Sequence, residues 1–318
     1  MSLPKVIADG PLAEAVSVLL DGRVELLPWN IVTEESASPE GPSPVDGIYT
    51  YGHPLLDGAM LNRLSGVRVI SNYGVGVDHI NLSDAAERGI PVGNTPGILN
   101  GATADMAMTL LLAAGRRLIE GDAYARSPEF TTYDPGYMLG REIHGSTIGI
   151  IGMGRIGSQI AKRARGFDMR VLYHNRTRRE ADEAQYQATY CSLDDLLDQS
   201  DYVVVVTPLT AETKGLIDRP QFERMKSSAI LVNIARGPIV STDALTWALQ
   251  EGQIYAAGLD VTDPEPLPRD HPLLSCKNLT IAPHLGSGTE QTRQRMAEVS
   301  VENLLAGLAG KPLVHQVG

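Results

Sequence analysis

Short apolar runs alternate with amphipathic stretches along most of the chain, and this rhythm predicts strands that alternate with helices. Strands are predicted at residues 5–8, 67–71, 90–93, 147–151, 170–173, 202–206, 229–233, 256–259 and 279–282. Helices are predicted at residues 11–20, 82–88, 156–164, 193–197 and 242–250, with a further helix that ends at Met225. This alternation is typical of an α/β fold built on doubly wound parallel sheets.

Two longer helical stretches are predicted at residues 102–126 and 289–309. From Ala104 to Ala114 apolar side chains occur on every side of the first stretch, which predicts a helix buried between lobes or between subunits. The second stretch is amphipathic, and we expect it to cross back to the first lobe. A chain of 318 residues suits two lobes better than one core.

The composition is that of a globular protein, with 43% hydrophobic and 20% charged residues. The apolar runs are too short to cross a bilayer, and no secretory leader is predicted at the N-terminus. The two cysteines, Cys191 and Cys276, predict packing residues in a reducing, cytoplasmic setting, and neither a disulfide framework nor a metal site is expected. Residues 34–46, which contain three prolines, are predicted to form a surface loop.

The chain is acidic, with a formal net charge of −11. This balance argues against general binding to nucleic acid or to an anionic membrane surface. Against that background Arg176, Arg178 and Arg179 concentrate positive charge in one short segment. The segment is either a solvated charge run or the binding place of a specific anion.

A glycine pattern of the form G-x-G-x-x-G follows the strand predicted at residues 147–151 and opens a helix. The first glycine permits a tight turn, the second lets a pyrophosphate approach the backbone, and the third lets the helix pack on the strand. The pattern alone is weak, but its strand and helix context favours a dinucleotide. The residues expected to contact the cofactor here are Gly152, Gly154, Arg155, Ile156 and Gly157.

The glycine loop assigns functions to the two lobes. We predict two Rossmann-like domains with a cleft between them: a dinucleotide-binding domain over residues 97–288, and a substrate-binding (catalytic) domain from residues 1–96 plus 289–318. An NAD site usually has a carboxylate at the end of the second strand, where it repels a 2′-phosphate. This chain has Asn175 there, followed by Arg176, Thr177 and Arg178. Arginine forks onto phosphate, so NADP(H) is expected to be preferred, with NAD(H) possible.

Three further motifs follow predicted strands, where open α/β sheets bind ligands: residues 233–237, 260–266 and 283–287. With these motifs, in this order after the glycine loop, the chain resembles the D-2-hydroxyacid dehydrogenase family, and within it the glyoxylate/hydroxypyruvate reductases and bacterial 2-ketogluconate reductases. The likeness extends from about Val67 onward and is much weaker before it. It implies reduction of small 2-oxo acids (glyoxylate, hydroxypyruvate or 2-ketogluconate) to D-2-hydroxy acids by hydride transfer.

Chemistry explains the residue types in these motifs. His284 can donate the proton that the carbonyl oxygen needs, because imidazolium is the natural acid near neutral pH. Glu265 can hold the other ring nitrogen, which orients the ring and favours its charged form. Arg236 can fork onto the substrate carboxylate and polarise the carbonyl. Matching positions carry these roles in the family.

The resemblance also assigns binding residues. Within the glycine-rich turn at residues 72–78, Val75 and Gly76 are expected to offer backbone amides to the substrate carboxylate, although a plain tight turn is the alternative. Ser287 is expected near the substrate with Arg236 and His284. The remaining expected cofactor contacts are Thr103, Pro208, Ile234, Asp260, His284 and Gly286.

Several alternatives stay open. Residues 51–53 and 130–137 either face the substrate pocket or form inert surface, and the second segment resembles one that some relatives lend to a partner subunit. A homodimer is expected across the apolar helix at residues 104–114. Two other enzymes of the family are disfavoured. A phosphoglycerate dehydrogenase would usually carry a longer regulatory tail, and a formate dehydrogenase would have glutamine in place of Glu265. A dinucleotide-sensing corepressor of the same fold is the alternative outside enzymes.

Overall fold

The computed structural model describes residues 2–32, 43–52 and 54–317. Contacts divide the chain into Met1–Leu99 with Thr289–Gly318, called unit 1 below, and Asn100–Gly288, called unit 2. The loop predicted at residues 34–46 lies largely outside the described residues, and so does His53. Among the described helices, none combines the length and the apolar character needed to span a membrane.

Unit 2, which is described throughout, is built on a seven-stranded parallel sheet. Its strands are β8 (Thr147–Ile151), β9 (Arg170–His174), β10 (Ala188–Tyr190), β11 (Tyr202–Val205), β12 (Ile230–Asn233), β13 (Ala256–Leu259) and β14 (Leu279–Ile281). The spatial order is β10-β9-β8-β11-β12-β13-β14. The chain changes its direction of growth between β8 and β11, and open α/β sheets bind ligands at such a switch point.

Helices cover both faces of this sheet. The helices of unit 2 are α4 (Asn100–Gly115), α5 (Leu118–Ala125), α6 (Arg155–Arg165), α7 (Glu180–Tyr186), α8 (Leu193–Gln199), α9 (Arg219–Arg224) and α10 (Thr242–Gln250). One apolar core lies between the sheet and α4 and α6, and a second lies on the opposite face against α8, α9 and α10. The central strands are buried on both faces, which explains their continuous Val and Ile runs.

The stretch predicted as one helix at residues 102–126 is two helices. Arg117 has a left-handed conformation with φ 51°, and this residue separates α4 from α5. Helix α4 is buried as predicted, but its cover is the sheet and α6 of its own unit. Its apolar side chains complete the core of unit 2, and the expected burial between lobes or subunits stays a prediction.

Unit 1 contains a second sheet, whose strands are β1 (Lys5–Ala8), β2 (Glu25–Leu27), β4 (Gly47–Thr50), β6 (Val69–Asn72), β7 (Val92–Gly93) and β15 (Gln316–Val317). The spatial order among the described residues is β2-β1-β4-β6-β7-β15, and the strands are parallel except for the antiparallel edge strand β15. A separate small pair consists of β3 (Ser43–Pro44) and β5 (Leu64–Ser65). The apolar pattern does not predict β4, because four residues beginning with glycine give little strand signal.

The helices of unit 1 are α1 (Glu14–Leu20), α2 (Gly58–Leu61), α3 (Leu82–Glu87) and α11 (Glu290–Leu308). Helix α11 packs closely on the sheet, since a Cβ at Gly307 would collide with the side chain of Val69. Buried polar contacts fix its register: the hydroxyl groups of Tyr49 and Ser300 lie 2.7 Å apart. The C-terminal helix is thus an integral part of the N-terminal unit.

Candidate active site

The glycine loop between β8 and α6 lies at the switch point of the unit 2 sheet. Gly152 has φ +111°, and a Cβ there would lie 2.8 Å from the backbone nitrogen of Thr207. A Cβ at Gly157 would collide with the carbonyl oxygen of Gly152. Apart from its neighbours in the chain, no described residue comes within 4 Å of a Cβ built at Gly154, so space is open there. These three environments suit a dinucleotide, whose pyrophosphate must approach the backbone at the start of α6.

Asn175, at the end of β9, is bound to this loop. Its Oδ1 accepts a 2.6 Å hydrogen bond from Met153 N, and its Nδ2 donates to the Met153 carbonyl at 3.3 Å. The side chain thus fixes the glycine loop and places no charge beside it. A carboxylate at this position would bring the repulsion of a 2′-phosphate that asparagine avoids.

The arginines after Asn175 differ in their contacts. Arg178 forms a bidentate pair with Glu183, at 2.7 Å from Nε to Oε1 and 2.8 Å from Nη2 to Oε2. The Arg178 guanidinium and the Tyr173 hydroxyl together lower the pKa of Glu183 to about 2. Arg176 is exposed and has no hydrogen-bond or ion-pair partner among the residues that the structure describes. The sequence does not distinguish the two arginines and does not indicate that Glu183 pairs with one of them.

The segment after β12 presents Arg236 through a turn that Asn233 holds. The Asn233 side chain is buried, accepts from Ala235 N at 3.0 Å and donates to the Arg236 carbonyl at 3.0 Å. Gly237 follows, and a Cβ there would collide with the carbonyl group of Thr262. The loops after β12 and β13 therefore touch through their backbones. Asn233 was part of the quoted motif, but the pattern alone gave it no role.

Asp260, at the end of β13, organises the turn that carries His284. Its carboxylate is 2% exposed and accepts from Leu285 N at 2.6 Å and from Gly286 N at 2.7 Å. Its carbonyl accepts from His284 N at 2.9 Å. Burial raises the pKa of Asp260, while the two amide donors act in the opposite direction. Asp260 thus accepts hydrogen bonds from three consecutive backbone amides of the turn.

His284 and Glu265 meet as the sequence motifs suggested. The Nδ1 atom of His284 lies 2.7 Å from Oε1 of Glu265, and Oε2 of Glu265 accepts from Thr262 N at 3.3 Å. His284 has φ +54°, a backbone conformation that is uncommon outside glycine and often marks a functional site. Both side chains are partly exposed, at 43% for His284 and 33% for Glu265. The pair is therefore formed and accessible.

The other residues of unit 2 that were expected to contact the cofactor or the substrate lie after strands or at the start of α4. Thr103 is buried beside Gly286, since a Cβ at that glycine would lie 3.4 Å from Thr103 Cγ2. Ile234 and Ser287 are buried, and Pro208 is exposed after β11. All of these residues follow the carboxyl ends of strands or begin α4. Among the described residues, no group of three His, Cys, Asp or Glu side chains could hold a metal ion.

In unit 1, Val75 and Gly76 lie in the loop after β6 and are half-buried. Tyr51 is engaged within its own unit: its hydroxyl accepts from Ala13 N at 2.9 Å, and its ring centroid lies 5.2 Å from that of Tyr73. Burial raises the pKa of Tyr51. His53, the third residue of that segment, lies outside the described residues.

Comparisons with known proteins agree with this geometry. Residues 108–286 match the family model of the D-isomer specific 2-hydroxyacid dehydrogenase, NAD binding domain. A glyoxylate reductase from Thermococcus gammatolerans is 47% identical over 82% of this chain and 79% of its own length. The structure of the TT0316 protein from Thermus thermophilus superposes with a TM-score of 0.88 and 43% identity, covering 99% and 100% of the two chains.

A further related structure was solved with a bound nicotinamide cofactor. The NADPH-dependent glyoxylate/hydroxypyruvate reductase from Sinorhizobium meliloti, in complex with NADP and malonate, is 30% identical with a TM-score of 0.87. The alignment covers 100% of this chain and 97% of that one. Fold, glycine loop and relatives together define an NAD(P)-dependent oxidoreductase. The chain belongs to the D-isomer specific 2-hydroxyacid dehydrogenase family.

Proposed function

We propose that this protein uses NADPH to reduce small 2-oxo acids to D-2-hydroxy acids, with glyoxylate and hydroxypyruvate as the first candidates and 2-ketogluconate as a third. The observation that carries the proposal is the 2.7 Å pair between His284 Nδ1 and Glu265 Oε1. The names of the relatives support the substrate class, since the T. gammatolerans protein is a glyoxylate reductase and the S. meliloti protein a glyoxylate/hydroxypyruvate reductase.

His284 is the proton donor in this mechanism. Glu265 holds Nδ1, so Nε2 is the nitrogen that delivers a proton to the substrate carbonyl oxygen. The carboxylate orients the ring and compensates the positive charge that the donor carries. When bound, the nicotinamide supplies the hydride for the carbonyl carbon. Proton and hydride together convert the 2-oxo group into a 2-hydroxy group.

Arg236 orients and polarises the substrate. Its guanidinium can fork onto the substrate carboxylate and stabilise negative charge as it develops on the carbonyl oxygen. Asn233 and Gly237 hold the backbone on both sides of Arg236, which limits the freedom of that side chain. We assign a carboxylate-binding role to the amides of Val75 and Gly76, and a place near the substrate to Ser287.

Cofactor preference follows from the end of β9. Asn175 adds no negative charge beside the ribose, and Arg176, Thr177 and Arg178 follow it. Arg176 is the primary phosphate ligand in this proposal, because Arg178 would first have to give up Glu183. The S. meliloti relative, which is NADPH-dependent and was solved with NADP, supports the same preference.

We also propose a homodimer formed through α5 and the segment that follows it. Six large apolar side chains are exposed there: Leu118, Ile119, Phe130, Tyr133, Tyr137 and Leu139. Tyr124 joins Phe130 and Tyr137 in an aromatic cluster, with ring centroids 5.4 and 4.8 Å apart. Exposed apolar patches of this kind are typical of interfaces. A monomer by light scattering at micromolar concentration would contradict the dimer.

The cytoplasmic location stays a prediction from composition.

A turnover assay tests the central proposal. Purified protein is mixed with NADPH and, in separate reactions, glyoxylate, hydroxypyruvate and 2-ketogluconate, and oxidation of the cofactor is followed by its absorbance. We expect turnover with at least one of the three and a lower kcat/KM with NADH. Negligible oxidation with all three acids and both cofactors would contradict the proposal and favour a dinucleotide-sensing binding protein.

A further inference from the structure

Consecutive carbonyl groups of the loop after β6 are bound by donors of unit 1. The Gly74 and Gly76 carbonyls both accept from Nδ2 of Asn72, at 3.0 and 2.7 Å. The Val75 carbonyl between them accepts from Nδ2 of Asn94 at 2.8 Å. On either side, the Tyr73 and Val77 carbonyls accept from Thr95 Oγ1 and Ile80 N. The carbonyl directions of this loop are therefore all fixed.

The N–H groups of the peptide units that join Gly74 to Val77, unlike their carbonyl groups, have no hydrogen-bond partner among the described residues. In a trans peptide, the carbonyl of one residue and the N–H of the next point in opposite directions. The N–H groups of Val75, Gly76 and Val77 therefore point away from the two asparagines. None of the three has a hydrogen-bond acceptor within the part of the chain that the structure describes. Successive amides presented in this way form a concave binding place for an anion.

The burial of Asn72 leaves one of its side-chain polar atoms without a hydrogen bond among the described residues. Its side chain is 1% exposed, and its Oδ1 has no hydrogen-bond partner among the described residues. The reverse orientation of the amide would place Oδ1 against the two carbonyl oxygens that Nδ2 now binds, so the network fixes the assignment. Burying an acceptor without a partner is unfavourable, and such a group in a folded protein calls for an explanation.

We propose that Asn72 and Asn94 are positioning residues for the substrate carboxylate. They hold the carbonyls of Gly74, Val75 and Gly76 away from the substrate, and so aim the amides of Val75, Gly76 and Val77 at it. The inference rests on the proposed function, in which the Val75 and Gly76 amides bind that carboxylate. Without the two side chains, a loop with two glycines has other peptide orientations within reach, and a rotated peptide would turn a carbonyl oxygen toward an anion.

The test compares Asn72→Leu and Asn94→Ala with a matched control, Ser71→Ala. Leucine is close to asparagine in size and removes both the donor and the partnerless Oδ1. Ser71 precedes Asn72 in β6, is equally buried, and donates to the Ser300 carbonyl at 2.6 Å without touching the loop. The measurements are KM for glyoxylate, the inhibition constant of oxalate as an unreactive dianion, the Kd of NADPH and the Tm.

Asn72→Leu should raise both the glyoxylate KM and the oxalate inhibition constant about tenfold, as expected for weakened hydrogen bonds to a charged group. Asn94→Ala should raise them by a smaller factor. The Kd of NADPH should stay within about twofold of wild type, as no cofactor contact changes. Ser71→Ala should lower the Tm without changing either substrate constant. This split between binding and stability is what a merely structural asparagine would not produce.

Wild-type KM and oxalate inhibition in both variants would overturn the inference while leaving the proposed function intact. If Asn72→Leu does not fold, Asn94→Ala decides alone, because that side chain is only half-buried. If the wild-type protein neither reduces a 2-oxo acid nor binds oxalate, the proposed function fails, and the inference fails with it.

Discussion

The Nδ1 atom of His284 lies 2.7 Å from Oε1 of Glu265, although the two residues follow different strands of the unit 2 sheet. This pairing leads to a first prediction. Glu265→Gln keeps the shape of the side chain but removes the charge that orients and supports the imidazolium. We expect kcat with NADPH and glyoxylate to fall by on the order of 10²-fold, within the range for impaired general acid catalysis.

The control for Glu265→Gln is Glu298→Gln. Glu298 is a carboxylate on α11 that pairs with Arg295 at 2.8 Å, so its replacement removes an ion pair of similar length. That variant should turn over at the wild-type rate, because an exposed pair of this kind contributes little. Equal kcat values for the two variants would show that Glu265 does not support the proton donor.

Arg176 and Arg178 should differ in their effect on cofactor choice. Arg176→Ala should weaken NADPH binding by about tenfold or more, since a charge-assisted hydrogen bond is lost, and should leave NADH nearly unchanged. Arg178→Ala should have the smaller effect, because its guanidinium is already paired with Glu183. Fluorescence titration of each variant with both cofactors measures the four constants. Equal losses for NADPH and NADH in Arg176→Ala would contradict a 2′-phosphate site at this arginine.

Gly237 sets how closely the loops of Arg236 and Glu265 approach each other. A Cβ at this position collides with backbone atoms of Thr262, and these cannot move aside as the end of a flexible side chain could. Gly237→Ala should therefore lower the free energy of unfolding by about 1–3 kcal/mol, as overpacking does, and should also lower kcat. Gly10→Ala is the control, since apart from its neighbours in the chain no described residue comes within 4 Å of a Cβ built there. Denaturant titration that gives the same stability for both variants would contradict the collision.

Asp260→Asn tests the turn that carries His284. One carboxylate oxygen accepts from Leu285 N and the other from Gly286 N. Asparagine can accept only one of these bonds, and its NH₂ group would oppose the second amide. The variant should lose about 1–3 kcal/mol of stability, the cost of an unsatisfied buried donor, and its kcat should fall because the turn shifts. Wild-type Tm and kcat would show that the turn does not depend on this carboxylate.

Much of the fold was predictable because its strands are strongly apolar. The pattern placed β8, α10 and β13 at the residues where the structure has them. It failed where the signal was short or tertiary contacts decide: β4 is four buried residues that begin with glycine, and the break at Arg117 is a single left-handed residue with no proline beside it. Such a break depends on local packing, which periodicity does not report.

The candidate site shows the same division. The side chains expected to do chemistry, Arg236, Glu265 and His284, are chemically distinctive and follow strand ends, so motifs reveal them. The residues that hold them, such as Asn233 and Asp260, act through hydrogen bonds to backbone amides and carbonyls. Asparagine and aspartate make such bonds in many ordinary turns, so the residue type alone does not indicate that they position catalytic side chains. The ion pair between Arg178 and Glu183 likewise becomes evident only in the three-dimensional structure.

The most direct test of the account is single-turnover oxidation of NADPH by His284→Ala with saturating glyoxylate. If His284 donates the proton, the rate constant should fall by on the order of 10²–10⁴-fold, while the Kd of NADPH stays close to that of wild type. A rate constant near the wild-type value, measured on a variant that binds NADPH normally, would show that another group delivers the proton.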